Sequence, residues 1–155
     1  MNQHVAIKHQ ISPDYAADGY GWAMAQGALI RAGRIDEVDW QNVAEEIETM
    51  GRNEYGAFES HLMQVILHML KWDVQPERRS RSWYVSIGTH RIAALKGLRK
   101  NPGFKTFVDE IVADALDDAR RYAALETGID AARFDQVSYD YDTIINRPFE
   151  WEGDI

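Results

Sequence analysis

The 155-residue chain contains no cysteine, only four prolines and no long uninterrupted apolar segment. The absence of cysteine excludes disulfides, thiolate metal ligands and cysteine nucleophiles. The longest strongly apolar run, from Val65 to Leu70, is interrupted by His68 and is far too short to cross a bilayer. The segment Met1 to Gln10 lacks the apolar core of a signal peptide. The sequence therefore predicts a cytoplasmic protein that does not associate with membranes.

Basic residues are also scarce, since the chain has 17 lysines and arginines and 25 acidic residues, which gives a net charge of −8. An acidic surface repels phosphate backbones, so nucleic acid is not expected as a partner. The two signs are segregated along the chain. Asp36 to Glu48 holds six acids and no base, whereas Glu77 to Lys100 holds seven basic residues and one acid. Two interpretations stay open: these segments are ordinary solvated or facing surfaces, or the basic one is a binding site.

A candidate anion site lies at the start of that basic segment. It consists of Arg78, Arg79, Ser80, Arg81 and Ser82. A helix that begins at Ser80 or Ser82 would present free backbone N–H groups there, and such groups favour a phosphate or an acidic partner segment.

Apolar residues recur at steps of three and four along four segments, which is the pattern of amphipathic helices. The first helix is predicted to begin at Ser12-Pro13 and to end at Ala32-Gly33. The second begins at Asp36 or Asp39 and is stopped by Pro76. Its length exceeds thirty residues, so it is either one long helix or two helices broken near Gly51 to Gly56.

The third helix is predicted to begin at Ser80 or Ser82, and the fourth to run from Asn101-Pro102 to Gly128. At most one helical turn, from Asp130 to Phe134, precedes an irregular aromatic tail over residues 135–155. No segment alternates at the period of a strand. The sequence therefore predicts one all-α domain over residues 1–155, a bundle of about four main helices with a flexible lead-in over residues 1–12.

An ordered series of short motifs runs through these segments. They are Asp18-Gly19-Tyr20-Gly21-Trp22, Arg31-Ala32-Gly33-Arg34, Asp39-Trp40, Glu45-Glu46-Ile47-Glu48-Thr49-Met50-Gly51, His68-Met69-Leu70-Lys71-Trp72, Gln75-Pro76, Arg78, Ser82-Trp83 and Asn101-Pro102. The series resembles the bacterial domain-of-unknown-function family twenty-nine from about Tyr15 to the tail. The resemblance implies a helical fold. It supplies no catalytic residues, because that family has no established activity.

Five polar residues fall on apolar helix faces and form the candidate pocket. They are Gln26 in the first helix, Glu54, His61 and His68 in the second, and Arg91 in the third. Because buried charges need partners, we expect Glu54 and Arg91 to meet across the core, with His61 or Gln26 completing the set. Either the cluster is structural, or it forms a pocket in which Arg91 holds an anion, Glu54 moves a proton and the histidines titrate near neutral pH.

Metal binding by this set is not expected. His61 and His68 are seven residues apart, which separates them by about 10 Å along a helix axis, too far for one ion to bind both. No serine has the context of an activated nucleophile, and no glycine-rich phosphate loop occurs, so no cofactor is predicted. The sequence favours a non-enzymatic helical interaction or regulatory module with a protein partner or a homodimer. The alternative is an enzyme or ligand-binding protein that uses the pocket around Glu54, His61 and Arg91.

Overall fold

The computed structural model describes residues 13–153, and these form six α-helices and no strand. The helices are α1 Gly19–Arg31, α2 Trp40–Val74, α3 Arg81–Lys100, α4 Val108–Thr127, α5 Ala131–Asp135 and α6 Tyr141–Asn146. Short 3₁₀ turns occur at Ile35–Glu37, Pro76–Arg78 and Pro102–Thr106. The predicted all-α class with four main helices is confirmed. The predicted lead-in over residues 1–12 lies outside the described residues.

The described residues divide into two compact units, an N-terminal unit that ends at Gly51 and a C-terminal unit that begins at Arg52. The expectation of a single domain stays a prediction. Within residues 13–153 no helix combines the length and the apolar content needed to cross a bilayer.

The start of α1 differs from the prediction. The helix begins at Gly19 rather than Pro13, because the Asp18 side chain accepts a hydrogen bond from the backbone N–H of Gly21 at 2.8 Å. This is the N-cap interaction that satisfies the first free amide groups of a helix. The predicted end is confirmed, since Gly33 follows with a φ of +70°, a conformation that suits glycine.

Helix α2 is a single helix of 35 residues that passes through Gly51 and Gly56 without a break. Of the two predicted alternatives, the long helix is therefore the one observed. A glycine in a helix interior costs only about 1 kcal/mol, too little to interrupt a helix that packs well further along. Asp39 caps the start, where its carboxylate accepts the backbone N–H of Asn42 at 3.3 Å.

Helix α3 starts as predicted, because Ser80 accepts a hydrogen bond from the backbone N–H of Trp83 at 3.3 Å. The predicted start of α4 at Asn101-Pro102 is wrong. The Asn101 side chain donates back to the Gly97 carbonyl at 3.2 Å and so closes α3, while Pro102–Thr106 forms a 3₁₀ turn. Helix α4 begins at Val108 and ends at Gly128, which has a φ of +70° as a C-terminal glycine often does.

The core of the C-terminal unit is built from the later part of α2 together with α3, α4 and the segment after α4. Its fully buried side chains include Phe58, Leu62, Val65, Ile66, Met69, Leu70, Ile87, Ala94, Ile111, Ala115, Ala119, Phe134 and Ile144. The valine, leucine, isoleucine, methionine and phenylalanine side chains among them stabilise the fold by about 1.5–3 kcal/mol each when fully buried. The tail contributes to this core, and α6 gives it more regular structure than the sequence predicts.

The N-terminal unit has a much smaller buried centre. Trp22 and Val38 are its buried apolar residues among the described positions, and the ring of Tyr15 meets that of Trp22 edge-on at 4.7 Å. Polar contacts fix the start of α2, because Asp39 accepts the indole N–H of Trp22 at 3.2 Å and donates its backbone N–H to Gln26 at 2.8 Å. Most of the other large apolar side chains of this unit are consequently exposed.

Candidate functional site

The first three turns of α2 carry a row of apolar side chains at steps of three, four and three residues, which we call the α2 seam: Trp40, Val43, Ile47 and Met50. Three of the four are exposed, Trp40 to 50%, Ile47 to 60% and Met50 to 64%. The apolar period predicts one stripe along the whole helix, yet only its later part, from Phe58 onwards, is buried. This spacing places the four side chains on one side of the helix, where the apolar face of another helix can pack against them.

An acidic residue borders the α2 seam. At 100° per residue, Glu46 lies beside the row and Glu48 lies further round the helix, and both are exposed. Glu46 also accepts a hydrogen bond from the Tyr15 hydroxyl at 2.5 Å, and that bond raises the pKa of the tyrosine. Residues 13–51 contain eight acidic and two basic side chains, a net charge of −6. The apolar row is therefore set in a strongly negative surface.

The outer face of α1 is apolar as well. No charged residue occurs in this helix before Arg31 at its end. Tyr20 is 79% exposed and Met24 is 55% exposed. A helix that is exposed on one side normally carries charged or polar residues there, so α1 adds to the apolar surface of the N-terminal unit.

An open cleft of about 460 Å³ lies within the N-terminal unit. Its lining consists of Pro13, Asp14, Tyr15, Trp22, Gln26, Asp36, Glu37, Val38, Asp39 and Asn42. The lining has four carboxylates and no lysine or arginine. The side-chain hydrogen bond from Asn42, at 2.7 Å, lowers the pKa of Asp39, so that group carries its negative charge well into the acidic range.

Glu54, a predicted pocket residue, interacts with the end of α3. Its carboxylate forms an ion pair with Lys100 and accepts a hydrogen bond from the Asn101 side chain at 3.0 Å. The hydrogen bonds from Lys100 and Asn101 lower the pKa of Glu54, and the bond from Lys100 has the larger effect. The expected pair of Glu54 with Arg91 is not formed, because each residue is directed at other groups.

Arg91 instead holds the end of α6. Its Nε and Nη1 atoms donate to the carbonyls of Ile144 and Arg147, both at 2.7 Å, and Nη2 donates to Thr143 at 3.4 Å. The guanidinium also lies 5.1 Å from the centre of the Phe149 ring. The carbonyls of Ile144 and Arg147 belong to the helix end, where carbonyls lack intrahelical partners, whereas the carbonyl of Thr143 also accepts the backbone N–H of Arg147 at 3.1 Å. Arg91 therefore fixes the tail to α3, and its three nitrogens are turned towards protein groups.

The histidines of the predicted pocket separate into two environments. The Nδ1 atoms of His61 and His90 lie 3.0 Å apart, so α2 and α3 share a histidine pair in which one ring must donate the proton. The Nδ1 atom of His68 instead lies 2.8 Å from the carbonyl oxygen of Gln64. Burial lowers the pKa of His90 and of His68. Within residues 13–153 no group of three or more histidine or acidic side chains is arranged to bind a metal ion.

The remaining pocket residue, Gln26, is buried in the N-terminal unit, where its side-chain oxygen accepts the backbone N–H of Asp39. It thus serves to position the start of α2. The five predicted pocket residues have separate partners, and a ligand pocket formed by them stays a prediction.

The predicted anion site is partly engaged in structural contacts. Ser80 is the N-cap of α3, and Arg79 donates to the Trp72 carbonyl at 3.0 Å while its guanidinium lies 5.0 Å from the Trp72 ring. Arg78, Arg81 and Ser82 are exposed. Anion binding at this segment also stays a prediction.

Sequence reasoning missed an ion pair that joins the end of α2 to the tail. Asp73 accepts two hydrogen bonds from the Arg147 guanidinium, both at 2.7 Å, and a third from the Tyr139 hydroxyl at 2.6 Å. Burial alone would raise the pKa of Asp73, but the bonds from Arg147 and Tyr139 outweigh it and lower that pKa. The sequence signal was an acid beside Trp72 at the end of an apolar stripe, but nothing local identifies a partner 74 residues away.

Comparison with known proteins gives one match. The family model described as "Domain of unknown function DUF29" covers residues 15–150, nearly all of the described chain. No curated protein and no solved structure matches.

Proposed function

The chain belongs to the DUF29 family, and we propose that it is a non-enzymatic protein-interaction module that binds a partner through the α2 seam. The observation that supports this proposal is the exposure of Trp40, Ile47 and Met50 in one row. These side chains are already about half covered, so burying the rest of each contributes about half of the 1.5–3 kcal/mol of a full burial, and the remaining contacts of an interface must add to this to offset the cost of association. An exposed apolar patch with a polar rim commonly marks a protein-binding surface.

A catalytic or ligand-binding role has less support. Glu54 has an ion pair with Lys100, and Arg91 is directed at three main-chain carbonyls. A group that already satisfies a structural need is poorly suited to bind an anion or to exchange a proton with a ligand. The negative surface also disfavours nucleic acid. A cytoplasmic location is part of the proposal, since a chain without cysteine suits a reducing compartment.

Site-specific photo-crosslinking in the organism of origin tests this function. A benzophenone amino acid replaces Ile47 in the α2 seam, and the matched control replaces Asp117, an exposed residue of α4 in the C-terminal unit. We expect the probe at Ile47 to form an adduct with another protein and the probe at Asp117 to form none. Both variants must retain the helical content and melting temperature of the natural chain. Equal labelling at the two positions, or no protein adduct at Ile47, contradicts the proposal.

A further inference from the structure

We propose that the segment bound by the α2 seam is a basic amphipathic helix of a partner protein, aligned lengthwise with α2. This inference rests on the proposed function and specifies the chemistry of the partner. It is carried by two properties of the described residues, the spacing of the seam and the charge around it.

The spacing fixes the shape of the occupant. Trp40, Val43, Ile47 and Met50 extend over about 15 Å of helix at 1.5 Å per residue. The next position of the row is Glu54, which already pairs with Lys100, so the apolar part ends at Met50. A row of this length and period receives the apolar face of a helix of about three turns, whose own side chains repeat at three and four residues.

The size of the neighbouring side chains allows close approach. Ala44 and Gly51 occupy the positions beside the seam on one edge, and Glu46 occupies the corresponding position on the other. Small residues on one edge leave room for the longer side chains of a partner helix. A carboxylate on the other edge is within reach of a lysine or arginine of that helix, the usual arrangement beside a two-helix seam.

The charge selects a basic occupant over a second copy of the chain. Residues 13–51 carry a net charge of −6, and Glu46 borders the seam. Two such faces brought together would oppose like charges, which disfavours the wrong partner and slows encounter. A basic helix is instead attracted to this face during encounter, and it can form ion pairs with the acidic residues at the rim. The acidic cleft formed by Asp36, Asp39 and their neighbours adds negative charge close to the start of α2.

The two contributions have different roles. Charge pairs at an exposed rim add little affinity each, whereas covered apolar side chains supply most of it. The seam residues therefore determine whether a helix binds, and the acids determine which kind of helix binds. Salt should weaken the interaction without abolishing it, because screening acts on the rim and not on the apolar contact.

A synthetic peptide of about five helical turns, with leucine at the seam-facing positions and lysine elsewhere, is the probe. Its binding is measured by fluorescence anisotropy beside a peptide of the same pattern with glutamate in place of lysine and beside a scrambled lysine peptide. We expect the lysine peptide to bind at least about tenfold more tightly than either comparison peptide. If the lysine and glutamate peptides bind equally, the inference is overturned.

Variants of the chain locate the binding. The double substitution Ile47→Ser and Met50→Ser should weaken binding of the lysine peptide at least about tenfold, since it removes the two most exposed seam side chains. Leu125→Ser is the matched control, because Leu125 is 80% exposed on α4 and belongs to the C-terminal unit rather than to the unit that carries the seam. Equal effects of the two changes would overturn the inference.

Reversing the charge of Glu46 tests whether the acidic rim selects a basic helix. Glu46→Lys should weaken the lysine peptide and strengthen the glutamate peptide. Tyr15→Phe is its control, since the natural Glu46 accepts the Tyr15 hydroxyl and both variants lose that bond. If Tyr15→Phe reproduces the effect of Glu46→Lys, the loss is structural and the inference fails.

The failure of this inference is distinguishable from the failure of the proposed function. If the probe at Ile47 forms an adduct with another protein through a segment that is acidic or not helical, the function stands and the basic helix is wrong. If light scattering shows a dimer that Ile47→Ser abolishes, a second copy is the occupant and the inference is overturned. A clean monomer that binds the lysine peptide supports it.

Discussion

The ion pair between Asp73 and Arg147 should be one of the larger single contributions to the stability of the C-terminal unit. The two side chains are 24% and 33% exposed, and two hydrogen bonds join them. Breaking a fully buried pair costs about 3–5 kcal/mol, and an exposed pair is worth about 0.2–1 kcal/mol. Their intermediate exposure predicts that Asp73→Asn lowers the free energy of unfolding by about 2 kcal/mol. For a chain of this length that is about 4–8 °C in Tm.

The pH dependence of this effect has a definite sign. The pKa of Asp73 is lowered in the folded protein from its ordinary value of 3.8, so its charged form stabilises the fold at pH values above that value. This contribution disappears as the pH falls through the folded pKa. The difference between the natural chain and Asp73→Asn should therefore be constant near neutral pH and shrink below about pH 4.

Urea denaturation followed by circular dichroism at several pH values measures both quantities. Asp117→Asn is the matched control, because Asp117 pairs with Arg121 at 2.6 Å but is 60% exposed, so its loss should change stability by less than about 0.5 kcal/mol. Equal stabilities of Asp73→Asn and Asp117→Asn near neutral pH would refute the reasoning. So would a loss in Asp73→Asn that persists unchanged in strong acid.

Three further substitutions, two of them with a control, test residues that fix individual helices, and the measurement for each is the melting temperature of the variant. Arg91→Leu should lower the free energy of unfolding by about 2–4 kcal/mol, because the carbonyls of Ile144 and Arg147 lose their side-chain donor, and a fully stable variant would contradict this role. Gly128→Ala should cost about 1 kcal/mol because of its φ of +70°, whereas Gly56→Ala inside α2 should be neutral or stabilising. Ser80→Ala should cost about 1 kcal/mol through loss of the N-cap, with Ser82→Ala unchanged; equal effects would exclude the cap.

The helices were predictable wherever a local chemical signal decides them. Gly33 and Gly128 end α1 and α4 as expected, and Ser80 begins α3, because each acts through its own backbone or a neighbour three residues away. The prediction of the start of α4 is wrong for a related reason. Asn101 was expected to cap α4, but its amide group instead bonds backwards to α3, and sequence alone does not decide between two local uses of one side chain.

The candidate site was less predictable, because periodicity shows which residues share a helix face but not what covers that face. The seam residue Ile47 and the core residue Phe58 have the same signature in sequence, yet one is exposed and the other is buried. In the same way, the sequence predicts that Glu54 and Arg91 meet across the core, whereas each is only partly buried and has other partners. The partners they found, Lys100 and the carbonyls of α6, depend on how distant segments pack.

The covering of the α2 seam inside the cell is the most direct test of the proposed interaction. Since the chain has no cysteine, Ile47→Cys and Asp117→Cys each introduce a unique thiol that a membrane-permeant maleimide can label. The account predicts that the thiol in Ile47→Cys reacts rapidly in purified protein and is protected in cells of the organism of origin. The thiol in Asp117→Cys should react in both settings. Equal labelling of both variants in cells would contradict an interaction module that binds through this seam.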